Sequence, residues 1–283
     1  MKKCIINYIT LIAVIILVLG AVLRSYGQDK KQEFSISVGC PSSFLSYQAA
    51  GEVVEGNGFS ASLRYAYYLS ETLSVGIGAE YQTYNSDFKS PFLSGQYTTT
   101  DYEKESFQFR YRATNIREEQ KLRYVNIPIQ IQFETPGTTQ LYLAAGAKIG
   151  FEINGSYQST IQNLRTSGYY PQYNVELFEP AFAGFASTNN VETRKQDLKT
   201  EVSYSATFET GVKQKMGKKS AIYIGAYLDY GLKNIFDKNT GSYLVQYNAE
   251  LPVQSKHNSI LDSPFANDVR LVSLGLKLRF AIR

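Results

Sequence analysis

The residue best suited to move a proton at neutral pH occurs once in this chain, as His257. It stands in Ser255-Lys256-His257-Asn258-Ser259, with Asp262 close behind. Serine, histidine and an acid are the ingredients of nucleophilic catalysis: the imidazole takes the hydroxyl proton and the carboxylate steadies the imidazolium. Closeness along a chain does not assemble them, and no GxSxG elbow presents a serine. The expectation is a loop histidine, no catalytic residues and no enzyme. Zinc wants about four ligands, and His257 with Cys40 falls short, so neither metal nor cofactor is expected. Cys40 reads as a small apolar residue on a strand.

A second set of chemical groups is more regular. Arg64, Glu80, Lys148, Glu152, Glu209, Asp229, Lys277 and Arg279 each stand at alternate positions among apolar residues. Four cations and four anions balance. Such charges in a confined apolar setting are expensive unless paired and hydrogen-bonded. The expectation is a network that plugs a lumen. The sharper alternative is an ion or solute pathway.

A third set is aromatic. Tyr102, Phe107, Phe109 and Tyr111 fall in one connection, and Tyr169, Tyr170 and Tyr173 in another. Exposed rings make good binding anchors; the plainer alternative is that they pack on each other or ring a membrane surface. The stretch 106–112 alternates, so strands could run on beyond the membrane there.

The elements that position these groups are strands. Alternation of apolar and small or polar residues recurs in eight segments, 33–40, 59–69, 73–84, 123–134, 140–153, 201–213, 221–232 and 269–282. Each has about the ~9–11 residues of a tilted strand crossing a bilayer. The apolar faces carry no charge over their centres, as in Leu274, Leu276, Leu278 and Phe280. The connections alternate strictly. Those near 70–72, 135–139 and 214–219 are short; those near 41–58, 85–122, 154–200 and 233–268 are long. A soluble sandwich has no reason to place every long loop at one end, whereas an outer-membrane barrel does. The expected fold is all-β: an eight-stranded antiparallel up-and-down transmembrane β-barrel with short periplasmic turns and long extracellular loops. A ten-stranded variant, with an extra hairpin from 97–121, is the alternative.

The N-terminus supports export. Lys2 and Lys3 precede an apolar run from Tyr8 to Leu23, and Ser25 and Gly27 offer a cleavage site. A signal peptide at residues 1–27 followed by a barrel domain at 28–283 is the expected organisation; a retained anchor is the competing one. Gln28 would then lead the mature chain, where a lipoprotein needs cysteine. Cleavage removes Cys4, ruling out an intramolecular disulfide, and lowers the formal charge of +4 by three. Nothing basic enough for nucleic acid remains. No other segment is apolar over ~18 residues, so no membrane helix is available. No soluble domain is expected after the last strand.

The runs Tyr124-Val125-Asn126-Ile127-Pro128-Ile129-Gln130-Ile131, Leu141-Tyr142-Leu143-Ala144-Ala145-Gly146-Ala147-Lys148-Ile149-Gly150 and Leu274-Gly275-Leu276-Lys277-Leu278-Arg279-Phe280 resemble the outer membrane β-barrel (PorT-like) proteins of Bacteroidetes. The resemblance covers roughly 33–283 and speaks to fold more than to activity. It implies an exported Gram-negative outer-membrane barrel, in contact with membrane lipid. Barrel-insertion machinery usually reads a terminal aromatic residue. Here Ala281, Ile282 and Arg283 follow Phe280, which is expected to serve. The expected function is an interaction scaffold whose surface loops meet a protein or glycan partner. A narrow porin-like channel, a lipid- or peptide-modifying enzyme and a soluble lipocalin-like barrel are the rivals.

Overall fold

The structure is a computed structural model that describes residues 31–179, 181–236, 243–250 and 254–283. The expected leader, residues 1–27, and its cleavage site lie outside the described residues.

Eight antiparallel strands build the wall: β1 (Gln32–Gly39), β2 (Ser60–Tyr68), β3 (Leu73–Thr100), β4 (Ser106–Glu134), β5 (Thr139–Tyr170), β6 (Ser203–Met216), β7 (Ser220–Gly231) and β8 (Ala266–Ile282). Each pairs with the next, and β8 returns to β1, with Phe34 opposite Ile282 and Gly39 opposite Lys277. Closure matters because an unpaired backbone N–H or C=O in hydrocarbon costs several kcal/mol, and a closed ring has no edge.

In the lower part of the ring the period of two sorts residues between two environments. Leu63, Ile77, Ile129, Leu143, Phe208, Ile224, Leu228 and Leu276 all point outward and are exposed. Leu276 shows 69% of its surface. So many bare aliphatic side chains in a belt suit lipid and would be an aggregation hazard in water. The inward positions carry serine, glycine and charge. Two glycines there make room for larger neighbours: a Cβ at Gly76 would lie 2.4 Å from Arg64 Nε, and one at Gly225 2.1 Å from the Tyr142 hydroxyl.

Three short turns lie at one end. Two use glycine at positive φ, Gly137 at 122° and Gly217 at 70°, which residues with a Cβ adopt poorly. The first and last described residues are at that end too: the Arg283 N–H donates to the Lys219 carbonyl and the Tyr68 N–H to the Lys31 carbonyl.

The other end departs from expectation. The stretch 85–122, expected as a loop, is wall. The β3–β4 ladder runs unbroken in direction from Leu73 opposite Phe133 to Thr100 opposite Ser106. The hairpin from 97–121 therefore prolongs two strands and adds none to the ring. β5 continues likewise through 154–170. The 29 residues of β4 run roughly 95 Å at ~3.3 Å per residue, far more than a bilayer needs. Segments Ser42–Ala49 and Glu52–Glu55 extend the ring upward against β8 and β3.

In this upper part the sidedness inverts. Along β3 the inward positions change from Glu80 and Gln82 to Tyr84 and Phe88, while the outward ones change from Val75 and Ile77 to Asp87 and Lys89. Water has replaced lipid outside, so the apolar face turns in. A further break follows. Ser90, Ile116 and Ile161 form one cross-strand row and Phe92, Thr114 and Asn163 the next, leaving Pro91, Asn115 and Gln162 out of the ladder. Asn115 takes φ of 50° there. Beyond it the inward parity switches to Leu93, Ala113 and Leu164, the effect of a bulge.

Leu276→Arg should therefore lower folding stability by about 2–4 kcal/mol, read as a reduced urea midpoint in lipid vesicles. Thr160→Arg, outward but above the belt, should stay within about 0.5 kcal/mol. Equal costs at the two positions would contradict the placement of the belt.

Candidate functional site

The inward positions of the lower ring bring their charges together at mid-height. Lys148 Nζ lies 2.6 Å from both Glu80 and Asp229 carboxylates. Lys277 Nζ bridges Glu80 at 3.6 Å and Glu209 at 3.2 Å. Arg279 pairs with Glu209 and donates to Gln132 Oε1 at 3.0 Å; Arg64 donates to the same oxygen at 2.9 Å. Asn126 Nδ2 and the Tyr142 hydroxyl donate to Glu80 and Glu209 respectively. A cavity of about 20 Å³ remains among Arg64, Ser37, Ser62 and Gln130, with two Arg64 nitrogens lacking a protein acceptor. That is room for one water.

A second tier lies nearer the turns. Lys213 Nζ contacts Glu33 at 3.1 Å and Glu134 at 2.9 Å. It also lies 2.8 Å from the Tyr68 hydroxyl. That hydroxyl donates to Glu134 at 2.7 Å, and the Tyr223 hydroxyl to Glu33 at 2.8 Å. Aromatic faces add to the cations' environment: Arg279 sits 4.4 Å from the Tyr223 ring centre and Lys277 4.3 Å from that of Tyr227. Among the described residues the buried lower lumen thus holds five cations and five carboxylates.

Above the belt the lumen is closed by apolar packing instead. Residues of the last long connection enter the upper ring. Val245, Tyr247, Ile260 and Leu261 are buried in one cluster with Leu45, Phe107, Phe109 and Leu122. The Tyr247 ring lies 5.1 Å from Phe107 and 5.4 Å from Phe109. One carboxylate pins this cap. Glu118, fully buried on β4, accepts from Ser259 Oγ at 2.6 Å, Ile260 N at 2.9 Å, Ser159 Oγ at 2.8 Å and Gln120 Nε2 at 2.9 Å. Burial raises its pKa above the ordinary 4.5, and the four donors only partly offset that.

The family described as "Outer membrane protein beta-barrel domain" matches residues 27–237. The chain belongs to that family. It is an outer-membrane protein, in contact with membrane lipid. No curated protein matches the sequence. Similar solved structures include Neisserial surface protein A, 12% identical over 88% of this chain and 94% of that one, with a TM-score of 0.35. The attachment invasion locus protein Ail of Yersinia pestis is 11% identical over 89% and 99%, TM-score 0.35. OprG of Pseudomonas aeruginosa is 7% identical over 89% and 97%, TM-score 0.38.

In this outer-membrane barrel the structure brings together Arg64, Glu80, Lys148, Glu209, Asp229, Lys277 and Arg279. It does not bring Glu152. That residue is half-buried higher on β5, where Thr200 N–H donates to it at 2.5 Å and the Thr200 hydroxyl donates as well. Among the described residues no lysine or arginine pairs with Glu152. Glu33, Glu134 and Lys213 join the lumen as well; the parity of their strands points them inward, but they stand at segment ends, where few alternating neighbours define a face.

The aromatic set divides. Phe107, Phe109, Tyr111 and Tyr170 are buried and unavailable to a partner. Water outside the extended strands drives those rings inward. Tyr169 is half-buried with Arg110 over its ring at 4.6 Å. Tyr102 and Tyr173 are exposed. Among the described residues His257 makes no catalytic pair: its Nε2 has no hydrogen-bond partner there, burial lowers its pKa, and the Ser259 hydroxyl is committed to Glu118. Cys40 is exposed at the end of β1.

Lys148→Met leaves Glu80 and Asp229 buried without their cation and should cost about 3–5 kcal/mol, measured by urea unfolding in detergent micelles. Neutralising all three residues together should cost less than the single change. The cap carries its own prediction. Because the Glu118 carboxyl is raised in the folded state, the folded cap binds a proton that the unfolded chain has lost. Its stability should therefore rise as pH falls from the folded value toward 4.5. Protection of residues 243–250 and 254–265 from external protease should follow that trend, and Glu118→Gln should flatten it.

Proposed function

We propose that this barrel is a closed scaffold that holds a folded β-domain above the outer membrane, where it meets another molecule. The double closure of the lumen carries the reading. Ten buried charged groups fill the lower ring, nine of them in ion pairs and Arg64 on Gln132, and an apolar cap fills the upper one. A conducting path would have to break buried ion pairs and then an apolar core. Barrels with an aqueous channel generally use ~16 strands, twice the number here.

The contact face is at the distal tip. Tyr102, Tyr173, Phe178 and Phe182 are exposed there, Phe182 to 81%. The Tyr173 hydroxyl donates to Glu105 at 2.9 Å, tying the two tips into one surface. Rings held bare in water on an ordered support suit a protein or glycan partner. Catalysis has no support from the His257 region, so the reading is not enzymatic. The likeness of its strand runs to PorT-like proteins of Bacteroidetes fits a barrel known by architecture more than by reaction. Phe280, on the outer face of the last strand, is the residue we assign to recognition by the insertion machinery, and residues 1–27 to a cleaved leader.

The purified protein in planar bilayers should show no steady conductance. Steady steps in the wild type would overturn the scaffold reading in favour of a narrow channel.

A further inference from the structure

The outer face of the upper sheet carries a pairing that its own stability does not explain. Arg112 on β4 stands directly opposite Arg165 on β5 in the ladder. Opposed Cβ atoms of such a pair are ~4.5–5.5 Å apart, and like charges there repel. Both side chains are exposed, and among the described residues no carboxylate lies within 4.0 Å of either. Two other arginines of the same face are neutralised, Arg117 by Asp87 at 2.8 Å and Arg270 by Asp268 at 2.9 Å; Arg123 has no such pair among the described residues but stands opposite Asn154, with no second arginine across the ladder.

The surroundings are shaped. Arg110 stands one outward position along β4 toward the tip, held by Glu176 at 2.9 Å and by the face of Tyr169. The three arginines line a concavity of about 480 Å³ with Ser94, Ser167 and Phe178. That volume lies within the ~300–1,000 Å³ of small-molecule sites. Two guanidinium forks side by side match the oxygens of a phosphate or sulfate, which take arginine bidentately. The exposed Ser94 hydroxyl suits a sugar hydroxyl, while Ser167 donates to Glu176 at 2.8 Å and so holds that lining carboxylate on Arg110 and away from the Arg112–Arg165 pair. Phe178, 65% exposed at the margin, offers a flat apolar face for a sugar ring.

We propose that this concavity binds a sulfated or phosphorylated sugar, with Arg112 and Arg165 clamping the anionic group and Arg110 fixed beside them. This deepens the scaffold reading and rests on it, since it names the chemistry of a partner for the extracellular domain. The same anionic sugar could belong to a free polysaccharide or to the phosphorylated headgroup of lipopolysaccharide.

The test uses the full barrel in detergent micelles and two probes: a heparin-derived oligosaccharide, and lipopolysaccharide with or without enzymatic dephosphorylation. At least one probe should bind. Arg112→Gln/Arg165→Gln should weaken that binding tenfold or more, and Arg112→Lys/Arg165→Lys should restore it only in part. Lys89→Gln, on the same face outside the concavity, should leave it unchanged. Gel mobility before and after boiling reports whether each variant is folded, and Arg165→Ser alone provides a milder change. Binding of the oligosaccharide alone assigns the site to a free glycan. Binding of lipopolysaccharide that dephosphorylation abolishes assigns it to the headgroup. Absence of binding to both probes overturns the proposal, as does binding that the double glutamine variant retains or that Lys89→Gln weakens equally. Conductance with this binding intact would sink the scaffold reading alone; a silent barrel that binds neither probe would sink this site alone.

Discussion

A closed backbone ladder that passes through two solvents must change its sidedness on the way. In lipid every backbone N–H and C=O has to be paired within the ring, and the outward face has to be apolar. In water the outward face has to be polar, and what was excluded must go inside. Four of the eight strands, β3, β4, β5 and β8, run through both solvents and meet both demands. Along β3 the exchange is complete between residues 77 and 89, from Glu80 inward and Ile77 outward to Phe88 inward and Lys89 outward. Most other features follow from that exchange.

Below it the lumen is narrow and polar, so its charges have to satisfy one another. Lys148 between Glu80 and Asp229, and Lys213 between Glu33 and Glu134, are the repeated solution: one cation, two carboxylates, and amides or phenols for the remaining bonds. Such clusters are weak stabilisers compared with an apolar filling, because taking ions out of water costs nearly as much as pairing them returns. Their use here suits a wall whose apolar residues are all needed on the outside.

Above the exchange the lumen becomes a conventional apolar core, but one whose contents come from far away in the chain. Val245, Tyr247, Ile260 and Leu261 fill the space that Phe107, Phe109 and Leu122 leave. Glu118 is a carboxylate buried within it, and its four donors fix the cap in register with β4 and β5. The extracellular part is therefore an ordered domain built on the barrel's own strands. Side chains on its outer face, Arg112 and Arg165 among them, are held in place by the ladder beneath them.

Alternation by itself determined the eight wall strands, the placement of the short turns at one end and the inward direction of Arg64, Glu80, Lys148, Glu209, Asp229, Lys277 and Arg279. These are consequences of a period of two repeated in segments long enough to count, and no partner strand is needed to see them. The fate of Glu152, of the aromatic residues and of the last connection was decided only in three dimensions. Alternation tells which residues share a face but not which solvent bathes it, so Phe107 and Phe109 read equally well as binding anchors or as core. The bulges at Pro91, Asn115 and Gln162 interrupt parity without a hydrophobic signature. Pairing of Glu118 with Ser259, or of Lys213 with Glu33, joins residues 141 and 180 positions apart. Such contacts exist only because the ring closes, and closure is a property of the whole chain.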